Sequence, residues 1–184
     1  IDRLHTTAAS HSRILVCEVM GNKAGWLTLS AGIAGGADII LIPEIPYDIE
    51  KVCEALLKRA ANGKSFSIMA VAEGAFAEAG ILTATSRIAA QVQASTGIDT
   101  RVCVPGHMLR GGSPNAYDRL LATKLGVHAA KLIAQERYGR SVAIVGGKVT
   151  SNKLADIAGL TKFVDPKGEL VMTAKHIGVS FGDE

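Results

Sequence analysis

Short apolar runs alternate with segments of helical periodicity along most of the chain. The apolar runs predict five strands, at residues 13–19, 38–42, 66–72, 99–104 and 141–145. Small residues and helical spacing predict helices at residues 24–35, 49–62, 86–95 and 115–138, with a short one at 153–158. This alternation predicts an α/β fold, a doubly wound and mainly parallel sheet with helices on both faces.

Segments outside this alternation set the expected domain limits. Residues 1–12 are polar and predict a connector from an N-terminal domain that the sequence does not contain. Residues 13–145 predict the α/β domain, and residues 146–184 a C-terminal segment that packs back on it and ends in an extended stretch. Residues 76–82 are ambiguous and predict a loop that leads into a helix.

Polar side chains follow three of the predicted strands, at the point where each strand ends. Gly21 and Asn22 follow the first strand, Glu73 follows the third, and His107 and Arg110 follow the fourth. Because parallel strands bring their carboxyl ends to one edge of a sheet, these groups predict a polar crevice for a ligand there.

The longest of these connections runs from the fourth strand to a helix and is rich in glycine. Ser113 suits an N-cap and Pro114 the first helical position, and the helix would bury one apolar face. The residues on that face are Tyr117, Leu121, Leu125, His128 and Leu132. Two cationic side chains in such a loop predict anion binding, because helix N-termini and arginine forks both bind phosphate. The alternative is that His107 and Arg110 only cap the loop.

Charge and composition indicate which ligands and which cellular compartment suit this chain. The formal net charge is +3 and no run of lysine or arginine occurs, which favours small anions over nucleic acid. Cys17, Cys53 and Cys103 lie far apart on apolar runs, which predicts buried free thiols in a reducing compartment such as the cytoplasm. No apolar stretch is long enough for a membrane span, and no histidine spacing predicts a metal site in this portion.

Four motifs in order resemble the bacterial 6-phosphofructokinase family, ATP- or pyrophosphate-dependent. They are EVMGNKAGW at residues 18–26, AGIAGGADIILIPE at 31–44, VAEGA at 71–75 and GHMLRGGSP at 106–114. The resemblance covers nearly the whole chain and identifies it as a C-terminal portion. It implies a glycolytic enzyme that transfers a phosphoryl group from ATP to the 1-hydroxyl of fructose 6-phosphate, giving fructose 1,6-bisphosphate.

The resemblance also implies roles for individual residues. His107 and Arg110 would hold the 6-phosphate, Glu73 the sugar hydroxyls, and Met20 and Gly21 the sugar ring.

Two further arginines would serve another subunit. By the same resemblance, Arg13 and Arg101 would reach the sugar phosphate of a neighbouring subunit, which implies a homo-oligomer, a dimer or a tetramer. Without the resemblance, each is an ordinary surface arginine at the start of a strand.

Three positions depart from the family or are ambiguous. Asn22 stands where the family usually has an arginine that supports the transferring phosphoryl group, and a neutral amide cannot balance that charge. Asp38 and Lys64 align with positions that bind a nucleotide effector in some bacterial members; ordinary surface charges are the alternative.

The motifs for the catalytic base, the nucleotide and Mg2+ do not occur in this sequence. We therefore expect the donor, ATP or pyrophosphate, and its magnesium to be held mainly by the missing N-terminal part. The 184 residues alone should then be inactive. Two alternatives remain open, a pyrophosphate-dependent phosphofructokinase and a relative that binds sugar phosphate without catalysis.

Overall fold

The computed structural model describes residues 1–75 and 84–184, so the loop predicted at residues 76–82 lies outside the described residues. The chain divides into two compact units. The first combines Ile1–Leu109 with Lys162–Glu184, and the second is Arg110–Thr161. The sequence predicted domain limits after residues 12 and 145, and these limits stay a prediction about the longer protein.

The helices and strands of the two units alternate as follows. The helices are α1 (Asp2–His11), α2 (Trp26–Ala34), α3 (Ile49–Ala61), α4 (Ala84–Thr96), α5 (Ala116–Ala134), α6 (Leu154–Ile157) and α7 (Glu169–His176). The strands are β1 (Ile14–Val19), β2 (Ile39–Leu41), β3 (Ser67–Ala72), β4 (Thr100–Cys103), β5 (Arg140–Val145) and β6 (Lys148–Lys153). A short 3-10 helix spans Gly106–Arg110.

A four-stranded parallel sheet organises the first unit, in the order β2-β3-β1-β4. Every residue of β3 is buried, because helices cover both faces of the sheet. Leu29 of α2 and Val171 of α7 pack on one face, whereas Leu56 of α3 and Val92 of α4 pack on the other. The predicted α/β fold with helices on both faces is confirmed.

Helix α3 shows how the sequence specifies these elements. The Asp48 side chain accepts a hydrogen bond from Glu50 N at 2.8 Å and so caps the helix, as its position before the apolar periodicity predicts. Lys58 and Arg59 lie in the last turn, where positive charge is favoured. Helical spacing then buries one stripe against the sheet.

The end of the chain completes the core of the first unit. Ser180 forms an isolated parallel bridge with Ile39 of β2, and Phe181 is fully buried. The Glu44 carboxylate accepts hydrogen bonds from Gly25 N and Val164 N, both at 2.9 Å, and so joins the start of α2 to the returning segment. The sequence did not predict helix α7. It predicted an extended C-terminal stretch, and only the bridge at Ser180 corresponds to that prediction.

Most of residues 1–12, predicted to be a connector, form helix α1 (Asp2–His11). Ala8 is fully buried, and His5 Nε2 lies 2.6 Å from Gly35 O. The stretch contains mostly polar residues because so short a helix needs only a few apolar side chains to pack against the rest of the first unit. Whether it leads from another domain stays a prediction.

The second unit consists of α5, α6 and the antiparallel hairpin β5–β6. The predicted N-cap at Ser113 is wrong: Asn115 caps α5, and its side chain and that of Asp118 accept hydrogen bonds from each other's backbone N–H. The predicted apolar face of α5 is confirmed in part: Leu132 is buried, and Leu121, Leu125 and His128 are half-buried. Tyr117 departs from the prediction, since it is 71% exposed. Within the described residues, no helix is long and apolar enough to cross a membrane.

Candidate functional site

The turns that follow β1 and β3 meet at the carboxyl edge of the sheet. Val19 is the register partner of Ala72, so both strands end side by side. Beyond them, Glu73 Oε1 accepts hydrogen bonds from Gly21 N at 2.9 Å and from Asn22 N at 2.6 Å. Two groups that the sequence predicted to share a crevice are therefore in direct contact.

Backbone geometry explains the residue types in this turn. Asn22 has φ +52°, a left-handed conformation that asparagine tolerates better than most residues. A Cβ on Gly74 would lie 1.9 Å from Asn22 O, so only glycine fits there without moving the turn. The β1 turn and the end of β3 are thus held together by a close backbone approach as well as by the Glu73 carboxylate.

The exit of β4 lies at the same edge, because Cys103 is the register partner of Cys17 in β1. The loop predicted there is tighter than expected. Pro105 O accepts a hydrogen bond from Met108 N, and residues Gly106–Arg110 form the 3-10 helix, with His107 exposed. Arg110 is the first residue of the second unit.

Arg13 and Arg101 occupy the opposite, amino edge of the sheet. Arg13 immediately precedes β1, and Arg101 is the second residue of β4. Asp99 lies between them: Arg13 Nε is 2.5 Å from Asp99 Oδ2, and Arg101 Nη2 is 3.0 Å from Asp99 Oδ1. The six residues of β1 separate this cluster from Met20, a rise of about 20 Å along the strand.

Sequence reasoning missed Asp99, although the sequence contains a signal for it. Asp99 and Arg101 are two residues apart at the start of a strand and therefore share one face of the sheet. The pairing of β1 with β4 brings Arg13 opposite Asp99, and Ile14 N donates to Asp99 O at 3.0 Å.

The two candidate effector residues differ in environment. Asp38 Oδ1 lies 2.6 Å from Arg59 Nη2, and Asp38 Oδ2 accepts a hydrogen bond from Ile68 N at 2.9 Å. Burial raises the pKa of the Asp38 carboxyl, against the opposing effects of that hydrogen bond and of Arg59. Lys64 is exposed. Effector binding by this pair stays a prediction, since Asp38 already has a structural role.

The sequence profile of the phosphofructokinase family matches residues 1–133. The chain belongs to the phosphofructokinase family. It is 46% identical over 182 residues to ATP-dependent 6-phosphofructokinase 3 of Bacteroides thetaiotaomicron, which covers 99% of this chain and 54% of the relative. It is also 48% identical over 193 residues to ATP-dependent 6-phosphofructokinase of Chloroflexus aggregans; this alignment covers 100% of this chain and 54% of the relative.

The chain thus spans about half the length of the curated phosphofructokinases it matches, and it corresponds to a C-terminal portion of them, as predicted. Among solved structures, phosphofructokinase from Saccharomyces cerevisiae aligns with TM-score 0.76 and 35% identity over 84% of this chain and 22% of that one. A pyrophosphate-dependent phosphofructokinase from Marinobacter aquaeolei aligns with TM-score 0.76 over 89% of this chain and 46% of that one. Because the two are only 21% identical, this alignment supports the fold alone.

Within residues 1–75 and 84–184, no group of three or more histidine, cysteine, aspartate or glutamate side chains is placed to hold a metal ion.

Proposed function

We propose that the longer protein containing this chain is a 6-phosphofructokinase and that this chain forms most of its fructose 6-phosphate site. The observation that carries the proposal is the contact of Glu73 with Gly21 and Asn22 at the carboxyl edge of the sheet. In a doubly wound fold, this edge is where ligands bind. The named relatives are ATP-dependent 6-phosphofructokinases. The family resemblance of the motifs supplies the reaction, phosphoryl transfer from ATP to the 1-hydroxyl of the sugar phosphate.

Each residue of the carboxyl edge takes a role in holding the sugar. Met20, Gly21 and Asn22 line the ring, and Glu73 both holds that turn and faces the hydroxyls. His107 contacts the 6-phosphate, and Arg110 keeps its predicted role in phosphate binding. Such positioning of reactants, with electrostatic support, supplies most of the catalysis in phosphoryl transfer.

The location of Arg13 and Arg101 supports a homo-oligomer. A single hexose phosphate is much shorter than the roughly 20 Å of strand between these arginines and the carboxyl edge. One chain therefore cannot bring both groups to the same sugar phosphate. We propose that each active site takes Arg13 and Arg101 from a neighbouring subunit.

ATP is the proposed donor because the two relatives named above, which match over the full chain, are ATP-dependent enzymes by name. The nucleotide, its magnesium and the catalytic base belong to the part of the enzyme outside this sequence, so the 184 residues alone do not turn over. We place the enzyme in the cytoplasm, with glycolysis. A sugar-phosphate-binding protein without catalysis is the second candidate, and the neutral Asn22 is the feature that favours it.

The test is a steady-state assay of the full-length protein with fructose 6-phosphate and either magnesium ATP or pyrophosphate. Activity with ATP and none with this chain alone is expected. His107→Ala should raise KM for fructose 6-phosphate about tenfold, as expected for loss of a hydrogen bond to a charged group. His176→Ala, which changes an exposed histidine of α7, is the matched control. A full-length protein that binds fructose 6-phosphate but is inactive with both donors would favour the binding protein instead.

A further inference from the structure

A single carboxylate organises the positive charge at the amino edge of the sheet. Each oxygen of Asp99 contacts a different arginine, Oδ2 the Nε of Arg13 and Oδ1 the Nη2 of Arg101. Arg13 and Asp99 immediately precede the neighbouring strands β1 and β4, and Arg101 follows two residues after Asp99 on the same face of the sheet. The result is a compact cluster with a net charge of +1.

The contacts leave most of the donor capacity of the arginines available. A guanidinium has five N–H donors in a planar fork, and Arg13 uses its Nε while Arg101 uses one terminal nitrogen. Within the described residues, the other guanidinium nitrogens of both arginines have no partner. Without the carboxylate between them, the two like charges would repel each other.

Stability does not account for the cluster. The side chains of Arg13, Asp99 and Arg101 are 34%, 36% and 59% exposed, and exposed ion pairs contribute little to the free energy of unfolding. The backbone of this region is held independently: Thr100 N donates to Gln93 Oε1 at 3.0 Å, and Ile14 N donates to Asp99 O.

We propose that Asp99 is a positioning residue that holds Arg13 and Arg101 side by side as one clamp for the sugar phosphate of a neighbouring subunit. The inference rests on the proposed function, because it assigns the clamp to that reaction. Asp99 does not touch the substrate; it acts by fixing the direction in which the two forks present their remaining donors.

The test compares Asp99→Asn, Asp99→Glu and Asp183→Asn in the full-length enzyme. Asp99→Asn should raise KM for fructose 6-phosphate about tenfold while kcat and KM for ATP change less than about twofold, because one charged contact to each arginine is lost. Asp99→Glu keeps the charge and should recover part of the affinity. Asp183→Asn removes a different exposed ion pair, with Lys175 at 2.7 Å, and should leave all three constants unchanged.

A double-mutant cycle separates positioning from a general structural effect. If Asp99 acts through the arginines, Asp99→Asn should change KM less than about twofold when Arg13 and Arg101 are already alanine. An unchanged KM in the single variant, or a lower one, would overturn the proposal; a lower value would make Asp99 a competing anion. An inactive wild type would overturn the proposed function as well, whereas an active wild type with an unaffected Asp99→Asn variant overturns only this inference.

Discussion

Replacing Gly74 with alanine should force the turn after β1 away from the end of β3. The added Cβ would lie 1.9 Å from Asn22 O, whereas real Cβ atoms essentially never approach closer than 3.0 Å. Pro43 Cγ lies 3.3 Å away on another side, which restricts where the methyl group can go. The backbone of the turn must therefore move by more than 1 Å.

The displacement acts on the two hydrogen bonds to Glu73. Gly21 N and Asn22 N lie 2.9 and 2.6 Å from Glu73 Oε1, and a shift of this size takes at least one of them out of bonding range. A hydrogen bond to a charged group contributes about 1.5–3 kcal/mol, at the low end for exposed groups such as these. Alanine also restricts the unfolded chain, which offsets about 0.4–1 kcal/mol. We expect a net loss of about 1–2 kcal/mol, or roughly 2–8 °C in Tm.

Denaturant unfolding followed by the fluorescence of Trp26, the single tryptophan, measures this loss in the first unit. Gly126→Ala is the control: it lies in α5 with nothing within 4 Å of an added Cβ, and alanine there should stabilise the helix by up to about 1 kcal/mol. Equal stability of Gly74→Ala and wild type would refute the reasoning, since it would show that the turn accommodates a side chain without losing its contacts. In the full-length enzyme, KM for fructose 6-phosphate should rise in parallel.

Two further predictions concern the helix cap and the thiols. Asn115→Ala should destabilise α5 by about 1 kcal/mol, measured by circular dichroism during thermal unfolding, whereas Ser113→Ala should have no effect because Ser113 does not cap the helix. At neutral pH, mass spectrometry after brief alkylation should find Cys103 modified before Cys17 and Cys53, which are buried. Burial and the neighbouring Cys103 raise the pKa of the Cys17 thiol to about 11. The protonated Cys17 thiol therefore contributes fully to stability below pH 9, and this contribution is lost as the pH rises through 11. Wild type should therefore lose more stability between pH 9 and 11 than Cys17→Ala; equal losses would contradict this.

Much of the first unit could be predicted from local patterns because its strands are buried on both faces. Val16, Ile40 and Val71 lie in apolar runs that no surface segment would contain, and the polar groups after them follow from parallel topology alone. The contact between Glu73 and the β1 turn is the clearest case, since strand ends in register bring distant residues together.

The differences from the predictions have two physical causes: some depend on contacts remote in sequence, and the helix cap depends on a local hydrogen-bonded pair. Helical spacing places Tyr117 on the same face as the buried Leu132, yet Tyr117 is 71% exposed, because spacing alone does not say whether another element packs against a given turn. The cap moved from Ser113 to Asn115 because Asp118 completes a reciprocal pair with Asn115. The contact of Asp99 with Arg13 depends on the pairing of β1 with β4, which places residues far apart in sequence opposite each other.

The return of the chain to the first unit sets the order in which the protein can fold as it is made. Phe181 and Val171 belong to the same buried cluster as Leu15 and Leu29, but the ribosome must first add residues Arg110–Thr161. At about 5–20 residues per second, those 52 residues delay closure of the cluster by roughly 3 to 10 s. During that interval, the apolar surface around Ile40 stays exposed to chaperones and to other nascent chains.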